Sequence, residues 1–205
     1  PAGSEFDFKI VYNIEKIEEI NEDMENIEFL DRYEEGIMQH LLQMLTSSGH
    51  LNGQLLETAD ISEKWDVMAP AYIHDAVGEI AEYPTVALGW AMYLGMAVAA
   101  YWDKDWEYYS LLPNIYETLR DRRGFDCMDE AIREEVLGLQ GKEFVSCEQL
   151  VQACAQQVLD KIRHEQISPQ SPLAFHIFVR SVHTLYLIGA AVELKRMGYK
   201  FEKVG

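Results

Sequence analysis

Between Thr85 and Trp102 the chain carries no charged residue over 18 positions. That length reaches the lower edge of a membrane-spanning helix. Within the run, Ala87, Ala91, Gly95 and Ala99 recur at every fourth position. On a helix these positions share one face, and their small side chains let a second helix approach closely, in lipid or in a water-soluble core. The flanks decide between the two. Glu82-Tyr83-Pro84 before the run and Asp103-Lys104-Asp105 after it hold no cluster of positive charge that would orient a membrane span. The run therefore reads as a buried central helix over about residues 85–102.

Its expected partner is the last helix, over 172–197. Ser171 and Pro172 supply a cap and a first-turn proline, Lys195 and Arg196 complement the final turn, and Gly198 follows it. From Leu173 to Val192 this segment is apolar on nearly every side, as an interior helix must be. The remaining helices are expected to wrap around the pair.

Their signals are local. Ile27, Leu30, Ile37, Leu41 and Met44 form a stripe from Met24 onward that ends before Ser47-Ser48-Gly49. A short helix is predicted from Ser62 to Met68, with Pro70 restarting the chain as a first-turn proline. Another begins near Pro113 and stops at Gly124. Asp126 caps a helix toward Leu139, and Ser146 with Gln149 reads as a capping box before Leu150, Val151, Cys154, Val158 and Ile162. No strand pair, glycine-rich phosphate loop or internal repeat is legible. The fold class is all-α, a single bundle-like domain of about seven or eight helices over residues 7–205. Residues 1–6, Pro-Ala-Gly-Ser-Glu-Phe, resemble a tag remnant and cloning linker and are set aside; no initiator Met follows them, which leaves a native leader or preceding segment an open question.

Charge narrows the partners. With 17 Lys and Arg against 35 Asp and Glu, the net charge is −18. Such a field repels phosphate backbones and anionic membranes, so nucleic acid and membrane are excluded as partners and a basic protein is favoured. Half of the charge lies in residues 5–35, with twelve acidic residues against Lys9, Lys16 and Arg32. There Phe8, Ile10 and Tyr12 alternate like a short strand or extended arm, and Ile14, Ile17 and Ile20 repeat at every third position, as in an amphipathic arm. Glu18, Glu19, Glu22 and Glu25 are the candidate contacts for a basic partner; the competing reading is a solvated acidic face. Trp102 and Trp106 extend the candidate surface. With Tyr101, Tyr108 and Tyr109 they interleave with Asp103, Asp105 and Glu107, an arrangement that suits a cationic ligand or a structural corner.

A second candidate site lies on the last helix. His176, Arg180 and His183 share an arc of roughly 60° that continues into Leu187, Ala190 and Leu194 rather than into more charge. A guanidinium there requires a carboxylate, an anionic ligand or a wet cleft. Asp75, Glu79 and Glu82 form another stripe, expected to face solvent opposite Ile73, Val77 and Ile80, with His74 at the margin. Should the two helices lie side by side, His74 and a carboxylate would come within reach of His176 or His183 as a divalent-metal set. Neither HExxH nor the Glu-x-x-His pairs of di-iron bundles occur. Cys127, Cys147 and Cys154 are odd in number and lack CxxC spacing, which disfavours disulfides and zinc and suits a reducing, cytoplasmic setting. No nucleophile has a base beside it.

The leading expectation is thus a soluble, acidic, non-enzymatic helical module engaging a protein, as an adaptor or an inhibitor or immunity-type protein does, without cofactor or metal, as monomer or homodimer. The alternative is a small-anion- or metal-binding protein, enzymatic or not, with its site at His176, Arg180 and His183.

Overall fold

A computed structural model describes residues 3–201, with side chains described at residue 16 and from residue 19 onward. Seven α-helices and no strands are present among these residues: α1 Gly3–Ser47, α2 Ala59–Val77, α3 Pro84–Tyr109, α4 Ile115–Arg123, α5 Met128–Ala131, α6 Gly141–His164 and α7 Pro172–Arg196. A single wide π turn, Ile132–Val136, continues α5.

The two apolar helices form the centre, and they do so through glycine. A Cβ on Gly95 of α3 would press on the carbonyl oxygen of Tyr186 and stand 2.9 Å from the Ala190 nitrogen. Reciprocally, a Cβ on Gly189 of α7 would press on the carbonyl of Met92. The backbones therefore cross at a distance that only a missing side chain permits. Ala87, Ala91 and Ala99 are fully buried along the same helix. Of the most apolar 18-residue window in each helix, 72% of α3 and 78% of α7 is buried, so their apolarity is largely consumed by contact inside the protein.

Buried hydroxyls fasten the surrounding helices to this pair. Tyr72 of α2 donates to the Ala87 carbonyl at 2.6 Å, and Tyr186 of α7 donates to the Ile61 carbonyl at 2.6 Å. Trp90 Nε1 donates to the Phe125 carbonyl at 2.8 Å. Caps behave as their chemistry requires: Thr58, Asn114 and Ser171 accept from the backbone N–H three residues on, and Gly124 and Gly198 adopt positive φ at helix ends.

Five expectations are corrected. Asp126 caps no helix: it lies inside the short turn Phe125–Cys127, and α5 begins after Cys127 without a side-chain cap. The segment with Phe8, Ile10 and Tyr12 is neither strand nor extended arm but the first turns of α1, which continues without a break to Ser47. Those three side chains, and those of Ile14 and Ile17, lie outside the described ones. Pro70 does not restart the chain; α2 passes through it. Pro70 and Asp66, whose carbonyl loses its helical donor, are both exposed, on the side of α2 away from the core. The buried face of α2 is Ile61, Trp65, Met68, Tyr72 and Ala76, not Ile73, Val77 and Ile80; α2 ends at Val77, leaving Glu79 and Glu82 in the following turn. Finally, α6 starts at Gly141, so Ser146 lies inside the helix and caps nothing. In α3, Asp105 leaves helical geometry and its carboxylate accepts from the Tyr108 N–H at 3.2 Å, starting a last short turn.

Candidate functional site

The polar stripe of α7 meets α1. Arg180 Nη1 donates to Asp31 Oδ1 at 2.9 Å and also to Glu34 Oε2. His183 Nδ1 lies 3.5 Å from the other oxygen of Glu34, and its ring stacks on Trp65 of α2 with centroids 5.7 Å apart. Asp31 and Glu34 are three apart, which puts both on one face of α1. The His183 imidazole beside Glu34 holds its carboxyl below the usual range; partial burial opposes this, and the Arg180 guanidinium reinforces it. Deeper in the same contact, Ser181 donates to the Ile177 carbonyl at 2.7 Å, which leaves the Tyr33 hydroxyl to donate to Ser181 Oγ at 2.6 Å. Leu30, Tyr33, Ile37 and Ile177 close a small apolar cluster around them.

This arrangement is a clasp between α1 and α7. Two carboxylates answer the charge of Arg180, so the guanidinium is already matched. His176 stands outside it, exposed, with the Phe175 ring beside it. His74 is remote too. α2 does lie beside α7, but its contacts there come from Ile61 and Trp65, the latter nine residues earlier and about 13 Å along the axis. The His74 side chain is 87% exposed and touches Asp75. Asp75 itself turns away from solvent, accepting from Tyr116 at 2.6 Å and from Arg120 at 3.0 Å, and so ties α2 to α4. Among the described residues no three His, Cys, Asp or Glu side chains converge as metal ligands. A cleft of about 400 Å³ between α1 and α6 is lined by Ile37, His40, Gln157, Lys161 and His164, with none of the α7 stripe among its walls.

Three buried charges, Asp129, Arg133 and Glu193, escaped the sequence reading. Arg133, in the π turn, is only 2% exposed. Its guanidinium donates to Asp129 Oδ2 at 2.8 Å, to the Phe144 carbonyl at 3.2 Å and to Glu148 at 3.3 Å, and lies over the Phe144 ring at 3.9 Å. The pairing satisfies it as a buried charge must be satisfied. Its one sequence signal is the four-residue spacing from Asp129, which exposed helices share.

The aromatic corner is largely filled from within. Tyr101 and Tyr109 stack at 3.8 Å. Trp102 donates to Asp60 at 3.2 Å and packs on Tyr199, while Lys64 covers the Trp106 ring.

The acidic half of α1 is different. No described side chain before Leu30 is buried. Ile20, Met24 and Ile27 are 48%, 56% and 54% exposed. Their i, i+4, i+7 spacing places them on one face as a continuous apolar stripe. Glu19, Glu22, Asp23, Glu25 and Glu28 are exposed around it. Glu18 belongs to the same helix, its side chain outside the described ones. Comparison of the chain with known protein families, curated proteins and solved structures found no match.

Proposed function

We propose that the protein is a non-enzymatic, acidic helical binding module, acting in the cytoplasm, whose N-terminal half of α1 docks a basic amphipathic helix of a protein partner. The observation that carries this reading is the exposed stripe of Ile20, Met24 and Ile27 in a half-helix whose other faces are acidic. An unpartnered apolar stripe on a water-exposed helix gains free energy when another apolar face covers it. The surrounding carboxylates choose the partner. A second copy would bring its own net charge of −9 over residues 5–35 against the first, whereas lysines and arginines beside an apolar face complement it. The α1–α7 clasp supports the reading by holding the base of the helix in place, so that docking need not order it.

The test is titration of the full chain with a designed Leu/Lys amphipathic helical peptide, followed by calorimetry. Saturable binding is expected, weakening with salt, abolished by Met24→Asp with Ile27→Asp, and weakened by joint Glu18→Lys, Glu19→Lys, Glu22→Lys and Glu25→Lys replacement. Glu19, Glu22, Met24, Glu25 and Ile27 are exposed, and circular dichroism checks that each variant folds. Binding that survives both sets of substitutions, or a tight self-dimer that excludes the peptide, would overturn the proposal.

A further inference from the structure

A second cleft, of about 290 Å³, opens where the C-terminal end of α7 meets α6 and the chain after the π turn. Met96, Leu137, Leu139, Cys147, Leu150 and Val192 line it. Among these the Cys147 thiol faces the Met96 sulfur at 3.9 Å, and burial pushes that thiol up to about 11. The volume is just below that of cavities that hold drug-sized ligands, roughly 300–1,000 Å³, and suits a smaller molecule.

Charges at its edge are unequal in what they have left to offer. Glu193, nearly fully buried, has both carboxylate oxygens engaged by Arg196, at 2.6 and 2.8 Å. That pair is closed. Glu143 stands exposed on the first turn of α6. Lys195 is the exception: its ammonium donates to the Gly49 carbonyl, and among the described residues no carboxylate pairs with it. His50 lines the same side, its imidazole pushed below the usual range by burial and by the charge of Lys195. A protein with a net charge of −18 thus keeps, among the described residues, a cation without a carboxylate partner beside an apolar cleft.

We infer that this cleft binds a small amphipathic anion, a short apolar chain or ring bearing one carboxylate, with the apolar part against Met96, Leu150 and Val192 and the head group on Lys195 and His50. The site is separate from the proposed docking stripe on α1 and shares no residue with it.

Octanoate is the probe, titrated into the full chain and followed by amide chemical shifts, with octylammonium and octanamide as the cationic and neutral comparisons. Octanoate is expected to shift the resonances of His50, Cys147 and Leu150 saturably and to slow alkylation of Cys147, while octylammonium leaves both unchanged. Lys195→Gln, at a partly exposed position, is expected to weaken octanoate about tenfold or more, the worth of one hydrogen bond to a charged group. Leu150→Trp is expected to fill the cleft and abolish the shifts; Val192→Phe repeats that test from α7 should the first variant not fold. Shifts produced equally by octylammonium, unchanged affinity in Lys195→Gln, or no saturation at millimolar octanoate would overturn the inference.

Discussion

Replacing Gly95 by alanine tests the central crossing directly. In an isolated helix this change is favourable by about 1 kcal/mol, because alanine loses less backbone entropy. Here the new methyl would press on the Tyr186 carbonyl and stand 2.9 Å from the Ala190 nitrogen. Those atoms belong to a helix backbone and do not rotate away as a side-chain tip does, so α3 and α7 must separate. Overpacking of this kind costs typically 1–3 kcal/mol, and the rigid obstacle puts Gly95 at the upper end. The expected net loss is about 2 kcal/mol, a fall in Tm of roughly 4–8 °C for a chain of this size. Gly36→Ala is the internal control: it lies in α1, a Cβ there meets nothing within 4 Å, and it is expected to gain about 1 kcal/mol. The two substitutions should therefore differ by about 3 kcal/mol in urea unfolding monitored by far-ultraviolet circular dichroism. Gly189→Ala presses on Met92 at the same crossing. The Gly95→Ala, Gly189→Ala double variant should lose less than the sum of the singles, since one methyl already opens the gap needed by the other. Gly95→Ala as stable as Gly36→Ala would refute the close crossing.

Other predictions follow from the buried charges and thiols. Arg133→Met strands Asp129 in a site whose burial already raises its carboxyl, and should cost about 3–5 kcal/mol, while Glu148→Gln at the exposed edge should cost less than about 1 kcal/mol; equal losses in chemical denaturation would contradict the assignment. Glu34 is held below its ordinary value of 4.5, so the unfolded chain binds the proton more readily. Its stabilising effect is present above that value and lost as pH falls through the lower folded value; Glu34→Gln should flatten the stability profile as pH falls through and below 4.5, and an unchanged slope would count against the clasp. Cys127 is exposed, whereas burial pushes Cys147 to about 11 and Cys154 to about 12. One thiol of the native chain should react quickly with dithiobis-nitrobenzoate and all three after unfolding; three equal native rates would contradict that packing.

The features legible in the sequence are those written over a few residues. The uncharged run with its four-residue stripe of small side chains already required a helix that another backbone approaches, and the apolar span ending in Lys195, Arg196 and Gly198 supplied that neighbour. Caps at Ser171 and stops at Gly124 were readable because capping chemistry acts within three or four positions. The same locality misled at Pro70 and Ser146, where helix-breaking and capping signals were outweighed by burial of Trp65, Met68 and Tyr72 in one helix and of Val151, Cys154 and Val158 in the other. The site residues divide in the same way. That Arg180 needed a carboxylate, an anionic ligand or a wet cleft followed from its apolar surroundings. That the charge came from Asp31 and Glu34, nearly 150 positions away, did not, because pairing depends on which helix faces α7 and at what rotation. Arg133 was hidden for a similar reason: its spacing from Asp129 is shared by exposed helix pairs, and only the Phe144 ring and carbonyl bury it. The all-helical class and its two central helices were thus determined by periodicity and composition alone. Which charges are matched, which lysine beside a cleft has only a carbonyl as its partner among the described residues and which stripe of α1 stays uncovered were decided by tertiary packing, since each depends on distances between segments that no local pattern encodes.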